Sequence, residues 1–148
     1  MISTQLLRYY PHFSGLSEDY LLQISNISNK GQFKAGDELF VERAPATHFC
    51  LIMSGEVNIV YTLGDNRTVV ADALIKGDSF GWSALIEPHR MTASCVAKTD
   101  GEYIAIEGEG LRRLCDANPV CGYHVSMELA KLLRDRLSAL RTQIAASR

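Results

Sequence analysis

The residues from Gly77 to Ser94 are of the types that can hold an anion. A helical turn starting near Gly81 would aim free backbone N–H groups and the positive end of a dipole at a negative group, as a phosphate requires. Gly81 and Ala84 are small enough to keep that approach open, and Arg90 supplies a guanidinium just before the strand-like run Thr92-Ala93-Ser94. Trp82 stands at the start of the turn, and its indole can donate a hydrogen bond but accept none. It can fill a cavity or offer a stacking face; a lone aromatic is more often buried filler.

Other chemistries find less support. Cys50 and Cys95 alternate with apolar neighbours in strand-like runs, where a reduced thiol behaves as a small hydrophobe. Cys115, Cys121 and His124 lack the paired CxxC spacing of a metal site, and His12, His48 and His89 add no second cluster. The chain has no nucleophile elbow and no Walker-type glycine loop, so no catalytic residue is assigned and an enzyme is not expected. A β-roll metalloenzyme would need clustered histidines plus a glutamate, and His48 and His89 stand isolated.

These 148 residues, 47% hydrophobic and 22% charged, suffice for one domain with a real core, here residues 1–148. A net charge of -2 gives no broad basic field for nucleic acid or an anionic membrane, so any anion site must be local. The start Met1-Ile2-Ser3-Thr4-Gln5 lacks a signal-peptide pattern and no apolar run could span a bilayer; a cytoplasmic protein is expected.

Several elements must position these residues. Apolar spacing predicts short helices over 2–10 and 18–26, separated by Pro11 and Gly15, with Ser17 as N-cap and Glu18 and Asp19 against the helix dipole. From 31 to 107 short alternating runs predict strands at 38–42, 48–53, 56–63, 68–74, 92–98 and 103–106, the pattern of a sandwich or roll. Gly36-Asp37, Gly64-Asp65 and Gly77-Asp78 mark its corners; Ser54-Gly55-Glu56 and Thr99-Asp100-Gly101 fit tight connections. Helices return over 108–148: one from Glu109 to Ala117, then Asn118-Pro119 opening a long one to about Ala145. Ala130, Leu133, Leu137, Leu140 and Ile144 recur on it in steps of three and four, the seam of a short coiled coil, while Tyr123 to Leu132 could lie on the roll. Arg134, Arg136 and Arg141 flank the seam and read as solvated charges.

Phe13-Ser14-Gly15-Leu16-Ser17, Phe33-Lys34-Ala35-Gly36-Asp37-Glu38-Leu39-Phe40, Leu51-Ile52-Met53-Ser54-Gly55-Glu56-Val57 and Gly77-Asp78-Ser79-Phe80-Gly81, in this order before a long helix, resemble the cyclic-nucleotide-binding domain of the catabolite activator and protein kinase A regulatory families. The resemblance covers nearly the whole chain. It implies a mainly β fold with flanking helices: a double-stranded β-helix (jelly roll) with two short N-terminal helices over 1–30, a roll over 31–107, a short cassette helix within 77–94 and a long C-terminal helix.

It also implies a ligand site at Phe80, Gly81, Trp82, Ser83, Ala84, Leu85, Arg90, Met91, Thr92, Ala93 and Ser94. In the family, a Glu after the Phe-Gly pair accepts the ribose hydroxyl and an Arg before the Ser/Thr-Ala-Ser/Thr strand pairs with the cyclic phosphate. Here Trp82 and Met91 hold those positions, and Arg90 is one residue early, where an extended strand turns its side chain away unless the turn opened by Pro88 is reshaped. The expected function is a regulatory module that binds cyclic AMP, cyclic GMP or another small anion and couples it to the C-terminal helix, as a homodimer acting on an unidentified downstream protein. The alternative is a degenerate domain that binds no nucleotide and serves dimerisation or protein interaction. Relatives that regulate transcription carry a helix-turn-helix after the long helix; the sequence stops at Arg148, so direct DNA binding is not expected.

Overall fold

A computed structural model describes residues 2–146. Helix α1 (Thr4–Arg8) is capped by the Ser3 hydroxyl, which accepts from the Gln5 amide. It is shorter than the expected 2–10, because the chain leaves it in tight turns that bring Tyr10 inward, where the phenol donates to the Ile52 carbonyl at 2.7 Å. Helix α2 (Glu18–Asn26) buries Leu21 and Ile24 and follows Ser17, whose side chain makes no capping bond.

Eight strands follow: β1 (Ser28–Phe33), β2 (Glu38–Phe40), β3 (His48–Ser54), β4 (Val57–Thr62), β5 (Thr68–Leu74), β6 (Ser79–Phe80), β7 (Ser94–Ala97) and β8 (Gly101–Glu107). They pair antiparallel into two four-stranded sheets, ordered β1-β8-β3-β6 and β2-β7-β4-β5, the expected jelly-roll layout with flanking helices. Cys50 and Ile52 face into the roll from the first sheet, and Ile59 and Cys95, paired across β4 and β7, from the second. Phe40 of β2 meets Phe80 of β6 edge-on at 5.8 Å, closing the two sheets on each other. The opposite face of β3 packs under the N-terminal segment, where Phe49 meets Phe13 and His12.

A four-residue 3-10 turn, Trp82–Leu85, links β6 to the loop before β7. Helix α3 (Gly108–Ala117) buries Leu111 and Leu114. Helix α4 (Pro119–Ala146) opens with Pro at its first position, as Asn118-Pro119 predicted. Cys121, Val125 and Leu129, spaced by four, are its buried stripe, Val125 and Leu129 each contributing about 1.5–3 kcal/mol of apolar burial. Arg136 departs from the expectation of a solvated charge: its guanidinium donates to Asp72 at 2.8 Å and lies 3.4 Å from Asp78, fastening the distal half of α4 to β5 and the β5–β6 turn. Leu133, Leu137 and Leu140 on that half are 38–50% exposed, and Ile144 is 62% exposed.

Candidate functional site

Gly81 sets the geometry of the cassette. Its φ of 77° turns the chain sharply out of β6, and a Cβ there would stand 2.5 Å from the His48 carbonyl oxygen and 3.0 Å from the Phe40 ring. The turn delivers Trp82 back over β6, where the indole N–H donates to both the carbonyl and the hydroxyl oxygen of Ser79 at 3.0 Å. The Ala84 amide is already engaged by the Gly81 carbonyl, and so is not free for an anion. On the far side of the turn, Ala84 packs under Gly108, and its carbonyl accepts from Arg112 of α3 at 2.5 Å.

The loop from Ile86 to Ala93 is held in one register. Backbone bonds run from Arg43 to Met91, from Met91 to Ala44 and from Ala46 to His89, and Arg43 and His89 adopt left-handed conformations uncommon for residues with a Cβ. Arg90 therefore points outward, its guanidinium donating to the Arg43 carbonyl at 3.1 Å. Met91 points inward and is 6% exposed.

Phe80, Gly81, Trp82, Ser83, Met91, Thr92 and Ala93 come together around one recess, completed by Ile59, Tyr61 and Cys95. Its volume is about 30 Å³. Of the other residues assigned from sequence, Ala84 lies behind the turn, Leu85 faces the helices, Arg90 stands outside, and the Ser94 hydroxyl accepts from the Glu42 amide at 2.9 Å. Burial pushes the Cys95 thiol up to about 12 and raises that of Cys50 further, as expected of core thiols. Burial pushes the Cys115 thiol up to about 12, with Cys121 beside it adding to the rise, while the His124 ring lies against Gly15.

Two features escaped sequence reasoning. One is a groove of about 550 Å³ between the cassette and the C-terminal helices, lined by Leu85, His89, Arg112, Cys115, Val125 and Leu129. The other is the polar contact of Ser79 with His12, separated by 67 positions. The apolar periodicity of α3 put Arg112 on a helix, but no local signal showed that it would reach the cassette.

Comparison with known proteins agrees with this layout. The chain is 28% identical over 115 residues to the cGMP-dependent protein kinase, isozyme 1, of Drosophila melanogaster, covering 76% of this chain and 15% of the kinase. It is 23% identical over 133 residues to the CRP-like cAMP-activated global transcriptional regulator of Mycobacterium tuberculosis, covering 90% of this chain and 58% of the regulator. It thus spans 15% of the kinase and 58% of the regulator, less than two thirds of either. A crystal structure described as a cyclic nucleotide-binding protein from Geobacter metallireducens superposes with a TM-score of 0.83 at 31% identity, covering 93% of this chain and 99% of that one. No helix among the described residues is long and apolar enough to cross a membrane. The family profile of the cyclic nucleotide-binding domain matches residues 30–118, and the chain belongs to that family.

Proposed function

We propose that this chain is a regulatory module whose recess is filled by its own side chains, and that it works by dimerising along α4 and contacting a downstream protein, without cyclic AMP or cyclic GMP. The observation that carries this reading is the size of the recess: about 30 Å³ beside Trp82 and Met91, where ligand pockets run from roughly 300 Å³ upward. The chemistry points the same way. Trp82 cannot accept from a ribose hydroxyl, and the guanidinium that would face a phosphate is turned onto the Arg43 carbonyl. Two charge-assisted contacts of about 1.5–3 kcal/mol each are missing, enough to weaken a nucleotide by roughly a hundredfold to ten-thousandfold.

One observation favours a second reading, in which a small ligand enters. Trp82 is half-buried and held through a single N–H, so swinging it outward would enlarge the recess while Gly81 and the Arg112 contact keep the cassette in place. Titration calorimetry with cyclic AMP and cyclic GMP separates the two. The expected result is no saturable heat at millimolar nucleotide for the native chain, and measurable binding once Trp82→Glu and Met91→Arg are combined. Micromolar binding by the native chain would overturn the filled-recess reading.

A further inference from the structure

The roll holds another cavity, of about 280 Å³, close to the roughly 300 Å³ at which ligand pockets begin. Antiparallel pairing lays Asn29, Ala105, Cys50 and Phe80 side by side across β1, β8, β3 and β6, on the face that looks into the roll. Neighbouring strands lie about 4.8 Å apart, so this row runs about 14 Å from Asn29 to Phe80. Its two middle residues, Ala105 and Cys50, are small and leave the floor of the cavity open. Gly31, further along β1 on the same face, clears space as well: a Cβ there would stand 2.6 Å from the Tyr103 ring, which leans over it. Tyr103 and Phe80 form one wall, their ring centroids 6.1 Å apart, and Phe40 of β2 forms another, edge-on to Phe80 at 5.8 Å.

The lining sets the chemistry of an occupant. Aromatic walls favour a flat ring, which they meet in offset or edge-on arrangements. Hydrogen-bonding groups complete the lining: the Asn29 amide, and His48, whose Nδ1 lies 2.9 Å from the Thr47 hydroxyl and whose Nε2 has no partner among the described residues. No ionised side chain is aimed inward. Lys30 lies at the edge, but it pairs with Ile104, and alternation turns both side chains to the opposite face of the sheet. Glu107, opposite His48 in β8, is exposed and stands outside the lining. Burial keeps the Cys50 thiol neutral.

We infer that this cavity is a second small-molecule site, which takes a flat, uncharged molecule of one or two fused rings carrying a hydrogen-bonding group. The ring lies over Ala105 and Cys50, against Phe80 and Tyr103, and its polar group meets Asn29 or His48. Phe80 also lines the recess beside Trp82, so the two spaces stand back to back with one ring between them. An occupant that presses on Phe80 therefore reaches Gly81 and the cassette with no nucleotide in the recess. This site goes beyond the function proposed above and does not rest on it.

The test uses 2-naphthol, a hydroxyl on two fused rings that is neutral at pH 7.5, with 2-naphthalenesulfonate as its charged counterpart. Followed by two-dimensional NMR of the full chain, 2-naphthol is expected to saturate with a dissociation constant of roughly 10–500 µM, and the sulfonate to bind about tenfold more weakly or worse. Ala105→Leu, which fills the floor, is expected to weaken 2-naphthol by about tenfold or more while the spectrum stays that of a folded chain. Nuclear Overhauser contacts from the probe to the rings of Phe80 and Tyr103 are expected to locate it. No saturation at about 2 mM probe, equal binding of the sulfonate, or an affinity unmoved by Ala105→Leu would overturn the site. So would contacts confined to Trp82 and Met91, or to Leu85 and Val125 in the groove. Should Ala105→Leu fail to fold, the contacts in the native chain decide alone. Because no nucleotide is added, failure here leaves the filled recess standing, and nucleotide binding by the native chain leaves this site standing.

Discussion

Protonating His12 would place a charge among Phe13, Phe49 and Ser79, with little water to solvate it. Burial pushes this imidazole down from 6.5 to about 4; Glu128 pulls it up, and His124 adds to the fall. Above pH 6.5 neither the folded nor the unfolded imidazole takes the extra proton. Between 6.5 and 4 the unfolded chain takes it first, so stability declines as pH falls through that window, by about 3 kcal/mol in all at roughly 1.4 kcal/mol per pH unit. Urea denaturation at pH 7.5 and pH 5 should show this acid loss in the native chain and a much smaller one in His12→Phe; equal losses would refute the assignment. Gly81 gives a second residue-level expectation. Gly81→Ala forces a Cβ against the His48 carbonyl in a left-handed conformation, and should cost about 2 kcal/mol or more of unfolding free energy in the same assay.

At the scale of elements, α4 is held in two places by different means. Its first half is docked by Cys121, Val125 and Leu129; its second half is tied down by Arg136 between Asp72 and Asp78. These partners are less than a third exposed, so the clamp is worth about 1 kcal/mol, more than a solvated pair. Arg136→Ala should raise amide exchange over residues 133–146 by about fivefold and leave the roll unchanged; uniform exchange across the chain would show that the clamp does not act locally. Why some elements were legible in the sequence and others were not follows from the same physics. β3, β4, β5 and β8 announce themselves through alternation between turns. β1 does not: its sequence is polar and contains Gly31, and it is a strand because six of its residues pair with β8. β6 is two residues long and exists through its pairing with β3. In the site, the outward turn of Arg90 could be counted from the strand period. The return of Trp82 to Ser79 depends on the left-handed Gly81, and the contact of Ser79 with His12 on tertiary packing, neither of which leaves a local trace.

For the whole molecule, the exposed stripe Leu133, Leu137 and Leu140 runs along α4 beside Arg136, Leu133 three residues before it and Leu140 four after. Single exposed apolar residues are ordinary on a protein surface, but a row at coiled-coil spacing is what the proposed dimer would use. Leu137→Asp should weaken self-association by roughly a hundredfold or more in sedimentation equilibrium, with the folded core intact. A native chain that remains a single copy at high concentration would remove the dimer from the proposal. Trp82 is, moreover, the sole tryptophan of the chain. Excitation at the long-wavelength edge of the indole band, where the six tyrosines do not absorb, therefore reads out one location, and any shift in emission colour or quenching reports whether that ring still rests against Ser79.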